Sequence, residues 1–270
     1  RPCLPTSASP PANRAATVQE RLARALAGLA QLTGDEKRLD EALACCRKAL
    51  EDLRHEQAPL LWRALKLRFG RIAIPLGELR EDDALLEDAI SALATALARW
   101  DRDGDEARWL EAEQLISRGR AALGRRTSDL ALLERAFNGF NRVAKTVDRT
   151  REPLRWAELQ DQMGGVLAAM GERYSEPVVL EEAVAAFGAA LEERRRERSP
   201  QLWAASAANQ GLASMQLAAR RKDPGLAQQA FMQIAAAVEA MREAGHGADV
   251  AALQKKLVLA GSLAESMRKR

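Results

Sequence analysis

Residues 156–171, WAELQDQMGGVLAAMG, and residues 181–191, EEAVAAFGAAL, decide how this chain folds. In the first stretch Trp156, Leu159, Met163, Val166, Leu167 and Met170 recur three or four apart, which is one face of an amphipathic helix. Pro153 lies near its first turn, where a missing N–H costs nothing, and Gly171 lies near its end. After the loop GERYSEPV, a second helix is marked by Leu180, Ala183, Phe187, Ala190 and Leu191. The charged run 192–198 reads as its solvated end, with Glu192 and Arg196 four apart and free to pair. The unit is a helical hairpin.

The hairpin repeats. Trp62, Trp109, Trp156 and Trp203 stand 47 residues apart, and positions are counted here from each Trp. Position 8 is Gly70, Ser117, Gly164 and Gly211; position 14 is Leu76, Leu123, Met170 and Leu217; position 15 is Gly77, Gly124, Gly171 and Ala218. Position 27 is always alanine (Ala89, Ala136, Ala183, Ala230), and position 31 is Leu93, Phe140, Phe187 and Ile234. One period earlier the pattern persists without its Trp, from Ala15 through Ala23, Ala30 and Ala42 to Cys46. One period later it holds at Val250 and Leu257 and then decays. Small residues at positions 8, 15 and 27 let two helices approach closely, and a fixed period of this length signals units that bury their apolar faces against neighbours.

Composition agrees. The chain is 47% apolar, 29% charged and 4% aromatic, rich in helix formers and poor in strand formers. A net charge of +3 gives no global push toward nucleic acid or an anionic membrane, and no run of 18 apolar residues suits a bilayer span. Cys45 and Cys46 are adjacent, a spacing unsuited to zinc or a disulfide framework, and Cys46 occupies the large apolar slot of the first repeat. The chain starts at Arg1 with a Pro-rich stretch, 1–12, expected to be a flexible lead-in from upstream sequence. A cytoplasmic location is favoured, but the compartment is not fixed by these residues.

Small at position 8, Leu then Gly at 14 and 15, Ala, an aromatic four later and Ala three after that resemble the tetratricopeptide repeat, best seen in MGGVLAAMG and EEAVAAFGAAL. That repeat is about 34 residues long. This one is similar to a long variant found in bacterial proteins, with seven extra residues assigned to the loop inside the hairpin and about six to the connection between hairpins. The resemblance implies an all-α fold: an α-solenoid, a right-handed superhelix of five hairpins (about 13–58, 59–105, 106–152, 153–199 and 200–247) with a C-terminal capping helix over 248–270.

The resemblance also implies a protein or peptide partner on the concave wall of first helices, facing positions 2, 5, 6, 9, 12 and 13. Position 9 is Arg24, Arg71 and Arg118 in three successive repeats, joined by Arg68 at position 6 and Gln114 at position 5. The fourth repeat offers Glu158 and Asp161, and the fifth Asn209 and Met215. Such a row suits an acidic segment through bidentate arginine contacts, unless neighbours such as Glu20 or Glu111 take the guanidiniums. The Asn and Lys clamp that some family members use for a terminal carboxylate is not reproduced.

Other chemistry finds little support. Asp101, Asp103, Gly104 and Asp105 lack the ligand spacing of a calcium loop and read as a helix cap. His55 and His246 are far apart, so a histidine metal site or catalytic base is not expected. No phosphate loop, nucleophile elbow or HExxH occurs, and neither a cofactor nor catalysis is expected. The tryptophans read as packing residues, with Trp100 outside the period and a candidate for exposure. The terminal helix is expected to present a polar outer face, or else a homodimer surface. Interaction scaffold is the leading function, and a regulatory or sensor segment of a larger bacterial protein the alternative.

Overall fold

The computed structural model describes residues 11–100, 104–245 and 247–269. Over these residues the chain is all-α. The helices are α1 (Pro11–Thr33), α2 (Glu36–Asp52), α3 (Pro59–Arg80), α4 (Asp83–Leu97), α5 (Glu106–Thr127), α6 (Leu130–Ala144), α7 (Pro153–Gly171), α8 (Val178–Glu193), α9 (Pro200–Arg221), α10 (Pro224–Glu243) and α11 (Gly247–Arg268). They fall into two compact units, one ending at Leu123 and one starting at Gly124, inside α5. In the first, α1 packs on α2 and α3 packs on α4, with α2 against α3 and α1 against α3. In the second, the pairs α7/α8 and α9/α10 are joined by α6 on α7, α8 on α9 and α10 on α11. Each unit is thus a run of consecutive hairpins, the packing of a helical-repeat solenoid.

The small residues act where the period placed them. A Cβ on Gly70 would stand 2.6 Å from Leu93, on Gly164 2.9 Å from Phe187 and on Gly211 2.6 Å from Ile234, so position 8 receives position 31 of the same hairpin. At position 15 the facing residue is position 24: a Cβ on Gly77 would lie 2.9 Å from Leu86, on Gly124 3.0 Å from Leu133 and on Gly171 2.5 Å from Leu180. The fifth repeat departs at both ends of this contact together, with Ala218 and Ala227, both buried. Cys46 is fully buried in its apolar slot, which pushes its thiol up to about 12. Trp62 is buried among Ala16, Ala49, Leu53, Leu65 and Ala96, whereas Trp156 and Trp203 are half-buried. Trp100 is half-buried too, packed against the core.

The extra residues inside the hairpin lengthen the first helix and leave the loop short. α3 and α9 run 22 residues, and two residues then separate each from its partner. Position 19 carries the turn in the left-handed region: Gly34 at φ 69°, Glu81 at 54°, Ser128 at 60° and Lys222 at 55°. The next N–H reaches back to the position-15 carbonyl, as Asp82 to Gly77 O at 2.9 Å, Asp129 to Gly124 O at 3.0 Å and Asp223 to Ala218 O at 3.0 Å. The aspartate at position 20 then caps the second helix, Asp82 accepting from Leu85 N, Asp129 from Leu132 N and Asp223 from Leu226 N. The fourth repeat has Ser175 and Glu176 there, a longer loop, and no side-chain cap on α8. Left-handed geometry costs a non-glycine residue about 1 kcal/mol, partly offset by glycine's freedom in the unfolded chain. Glu81→Gly, Ser128→Gly and Lys222→Gly are therefore each expected to stabilise by about 0.5 kcal/mol in urea denaturation, and Ser175→Gly, whose φ is not positive, is expected to give no gain.

Four further sequence expectations change. Residues 1–10 of the Pro-rich lead-in lie outside the described residues, and Pro11 and Ala12 already belong to α1. The run 192–198 is not a solvated helix end: α8 stops at Glu193, and Arg194 is buried in the turn that Pro200 ends by starting α9. Glu192 and Arg196 do not pair with each other; Glu192 binds Arg149 and Arg196 binds Glu243, because the turn carries Arg196 away from the helix. On α11 the outer side carries Gln254, Lys255 and Glu265, but Val258 and Leu259 are also exposed, at 68% and 71%.

Candidate functional site

The arginine row lies on the first helices of the first unit, and most of it is ion-paired across them. Arg68 on α3 donates from Nη2 to Glu20 Oε1 of α1 at 3.0 Å. Arg71 on α3 grips Glu111 of α5 through both Nε and Nη2, which raises its already high pKa. Arg118 on α5 returns to Glu78 of α3, with Nε at 2.8 Å and Nη2 at 2.6 Å. Arg24 on α1 is exposed and has no ion-pair partner among the described residues. Gln114 sits half-buried on α5. The row is ordered by glutamates from adjacent first helices, the pairing that Glu20 and Glu111 made an alternative to ligand binding.

In the second unit the expected residues separate. Glu158 is exposed on α7 and accepts from Gln162 Nε2 at 3.2 Å. Asn209 on α9 lines a shallow cavity of about 370 Å³ with Gln201, Leu202, Ala205, Met241 and Leu253. Asp161 belongs to a buried network: it accepts from Ser206 Oγ at 2.7 Å, and Arg194 Nη1 donates to Ser206 at 2.7 Å while standing 3.4 Å from Asp161. Met215 is buried against α10 and α11. Positions 5 and 12 do not form open surface as a rule, since Leu67, Ala208, Ile74 and Met215 at those places are buried. At 100° per residue both adjoin positions 1 and 8, which turn toward the hairpin's own second helix. Positions 2, 6 and 9 are the ones that stay open or half-open.

Further ionic devices follow the period without having been read from it. Seven residues before each Trp stand His55, Arg102, Arg149 and Arg196. His55 meets Trp62 edge-on with ring centroids 5.2 Å apart; Arg149 lies 4.3 Å over Trp156 and Arg196 5.5 Å over Trp203. Arg102, with Asp101 and Asp103, lies outside the described residues. Arg149 also binds Glu192 and Glu193, so each described arginine of this set joins a Trp to an acid at the next junction. At position 18, Arg80 binds Glu36 and Asp40 on α2, holding the Asp40 carboxyl below its ordinary pKa, and Arg221 binds Glu181 on α8. At position 17, Arg220 donates to the carbonyls of Gly171 and Glu172 at 3.1 Å, capping the end of α7. Counting from the Trp brings out the column seven residues before it and the run Arg126, Arg173 and Arg220 at position 17, whereas position 18 carries arginine only at Arg80 and Arg221 and gives no such signal.

Among the described residues no group of three or more His, Cys, Asp or Glu is arranged to hold a metal ion, and no helix is long and apolar enough to cross a membrane. Regular hairpins tied by cross-repeat ion pairs define a helical-repeat protein. No known protein-family profile matches the chain, and no curated protein matches it. Among solved structures, the crystal structure of a de novo designed helical repeat protein is similar at 17% identity over 96% of this chain and 98% of that chain, with a TM-score of 0.21.

Proposed function

We propose that this chain is an interaction scaffold that binds a peptide or protein partner along the open face of its first helices, with acidic partners favoured on α1, α3 and α5. The observation that carries the reading is the row of Arg24, Arg68, Arg71 and Arg118, in which Glu20, Glu111 and Glu78 hold the guanidiniums of Arg68, Arg71 and Arg118 in place and Arg24 is exposed beside them. Arg71–Glu111 and Arg118–Glu78 lie near the surface, where such pairs are worth about 0–1 kcal/mol each, so an incoming carboxylate can replace the resident one at small cost, and an arginine already extended loses little freedom on binding; Arg68–Glu20 is more enclosed and serves as the fixed end of the row. Bidentate geometry at Arg71 is the form that recognises a carboxylate best. The resemblance of the repeat to the tetratricopeptide signature supports the same reading. With the purified chain as bait, changing Arg24, Arg71 and Arg118 together to Glu is expected to weaken partner capture at least tenfold, with helical circular dichroism retained. Undiminished capture by that folded variant would exclude the row as the contact.

A further inference from the structure

Resting on the reading that partners lie along the first helices, we infer that the wall formed by α3 and α5 selects an extended segment in which acidic and basic side chains alternate every three residues. α3 carries Arg71 and Glu78, and α5 carries Glu111 and Arg118. In each helix the two stand seven residues apart, which places them on nearly one face and about 10 Å apart along the axis. The bridges they form run in opposite senses: Arg71 of α3 holds Glu111 of α5, and Arg118 of α5 holds Glu78 of α3. These two guanidiniums and two carboxylates sum to zero charge, so a uniformly acidic segment finds no net attraction among them. Arg24 differs, because Ala64 stands on α3 where Glu111 stands on α5, and its guanidinium has no ion-pair partner among the described residues.

Displacement at this wall has a second end. A carboxylate that takes Arg71 or Arg118 releases Glu111 or Glu78, whose side chains are 34% and 22% exposed. The released glutamate is only partly hydrated, and further acids of the same segment repel it. A lysine or arginine of the segment that meets it leaves every charge paired, so one internal bridge becomes two bridges to the partner. The helices set the spacing. α5 packs directly on α3, where Gly119 lies against Ile74, and the axes of helices in such contact are about 8–10 Å apart. A polyproline-type chain rises about 3.1 Å per residue with three residues per turn, so an acid and a base three apart lie on one side of it at that separation. Residues 1–12 hold no acidic side chain and so do not supply this segment.

Two fluorescently labelled peptides of equal length serve as probes, one repeating Glu-Pro-Pro-Lys-Pro-Pro and the other Glu-Pro-Pro, each titrated into the full chain at low salt. The native chain is expected to bind the mixed peptide at least fivefold more tightly than the acidic one. Glu78→Gln/Glu111→Gln, which leaves no carboxylate to neutralise, should reverse the preference. Glu182→Gln/Glu197→Gln, an equal change of charge at exposed acids of the second unit, should leave the preference as it is in the native chain. A native chain that binds the acidic peptide as well or better would overturn the inference and leave the arginine row standing as a contact. A preference that survives Glu78→Gln/Glu111→Gln, or that Glu182→Gln/Glu197→Gln reverses equally, would do the same. Absence of saturable binding by either peptide would overturn the inference together with the preference for acidic partners.

Discussion

Gly171→Ala is expected to destabilise the fold by about 1–3 kcal/mol, although alanine is the better helix former. The added Cβ would lie 2.5 Å from Leu180 Cδ2 and 2.7 Å from its Cγ, and Leu180 is fully buried, so its side chain has nowhere to turn. Leu180→Ala alone leaves a cavity and should cost about 2–4 kcal/mol. Combined, the two changes recreate the pair that the fifth repeat already uses, Ala218 opposite Ala227. The double variant should therefore be less destabilised than the sum of the singles by at least about 1 kcal/mol, because each substitution relieves the defect of the other. Urea denaturation of the three variants checks this; strict additivity would mean that positions 15 and 24 do not pack against each other.

Asp161→Ala is expected to cost about 3 kcal/mol, the low end for breaking a buried ion pair. The side chains of Arg194 and Asp161 are 7% and 20% exposed, and removing the carboxylate strands the guanidinium in a turn where its Nε already has no partner. Arg194 stands at position 38, where other repeats place Leu53, Val147 and Met241, all buried. Asp161→Ala/Arg194→Met restores an apolar junction and should recover most of the loss. If the double variant is no more stable than Asp161→Ala, the network is not what the carboxylate serves.

The hairpin fold was legible because packing acts through residue types that the period repeats: glycine or alanine where helices touch, a large apolar residue opposite. The short connection was not, since Gly34, Glu81, Ser128 and Lys222 share a left-handed backbone and no side-chain chemistry; only the aspartate that follows, Asp35, Asp82, Asp129 or Asp223, marked it. Arg194 was hidden by company. Within RRRER it looks like its solvated neighbours, and only its phase against Leu53, Val147 and Met241 reveals a charge in an apolar slot. The arginine row was visible as a column of like residues, whereas the depth of positions 5 and 12 depends on helix rotation, which resemblance assigned to the groove and packing assigned to the core.

That partners engage the first helices is tested most directly by amide hydrogen exchange on the chain bound to a captured partner. Slowed exchange concentrated on α1, α3 and α5, reduced when Arg24, Arg71 and Arg118 are changed to Glu, is the expected result. Slowed exchange confined to the second helices α2, α4 and α6 would contradict it.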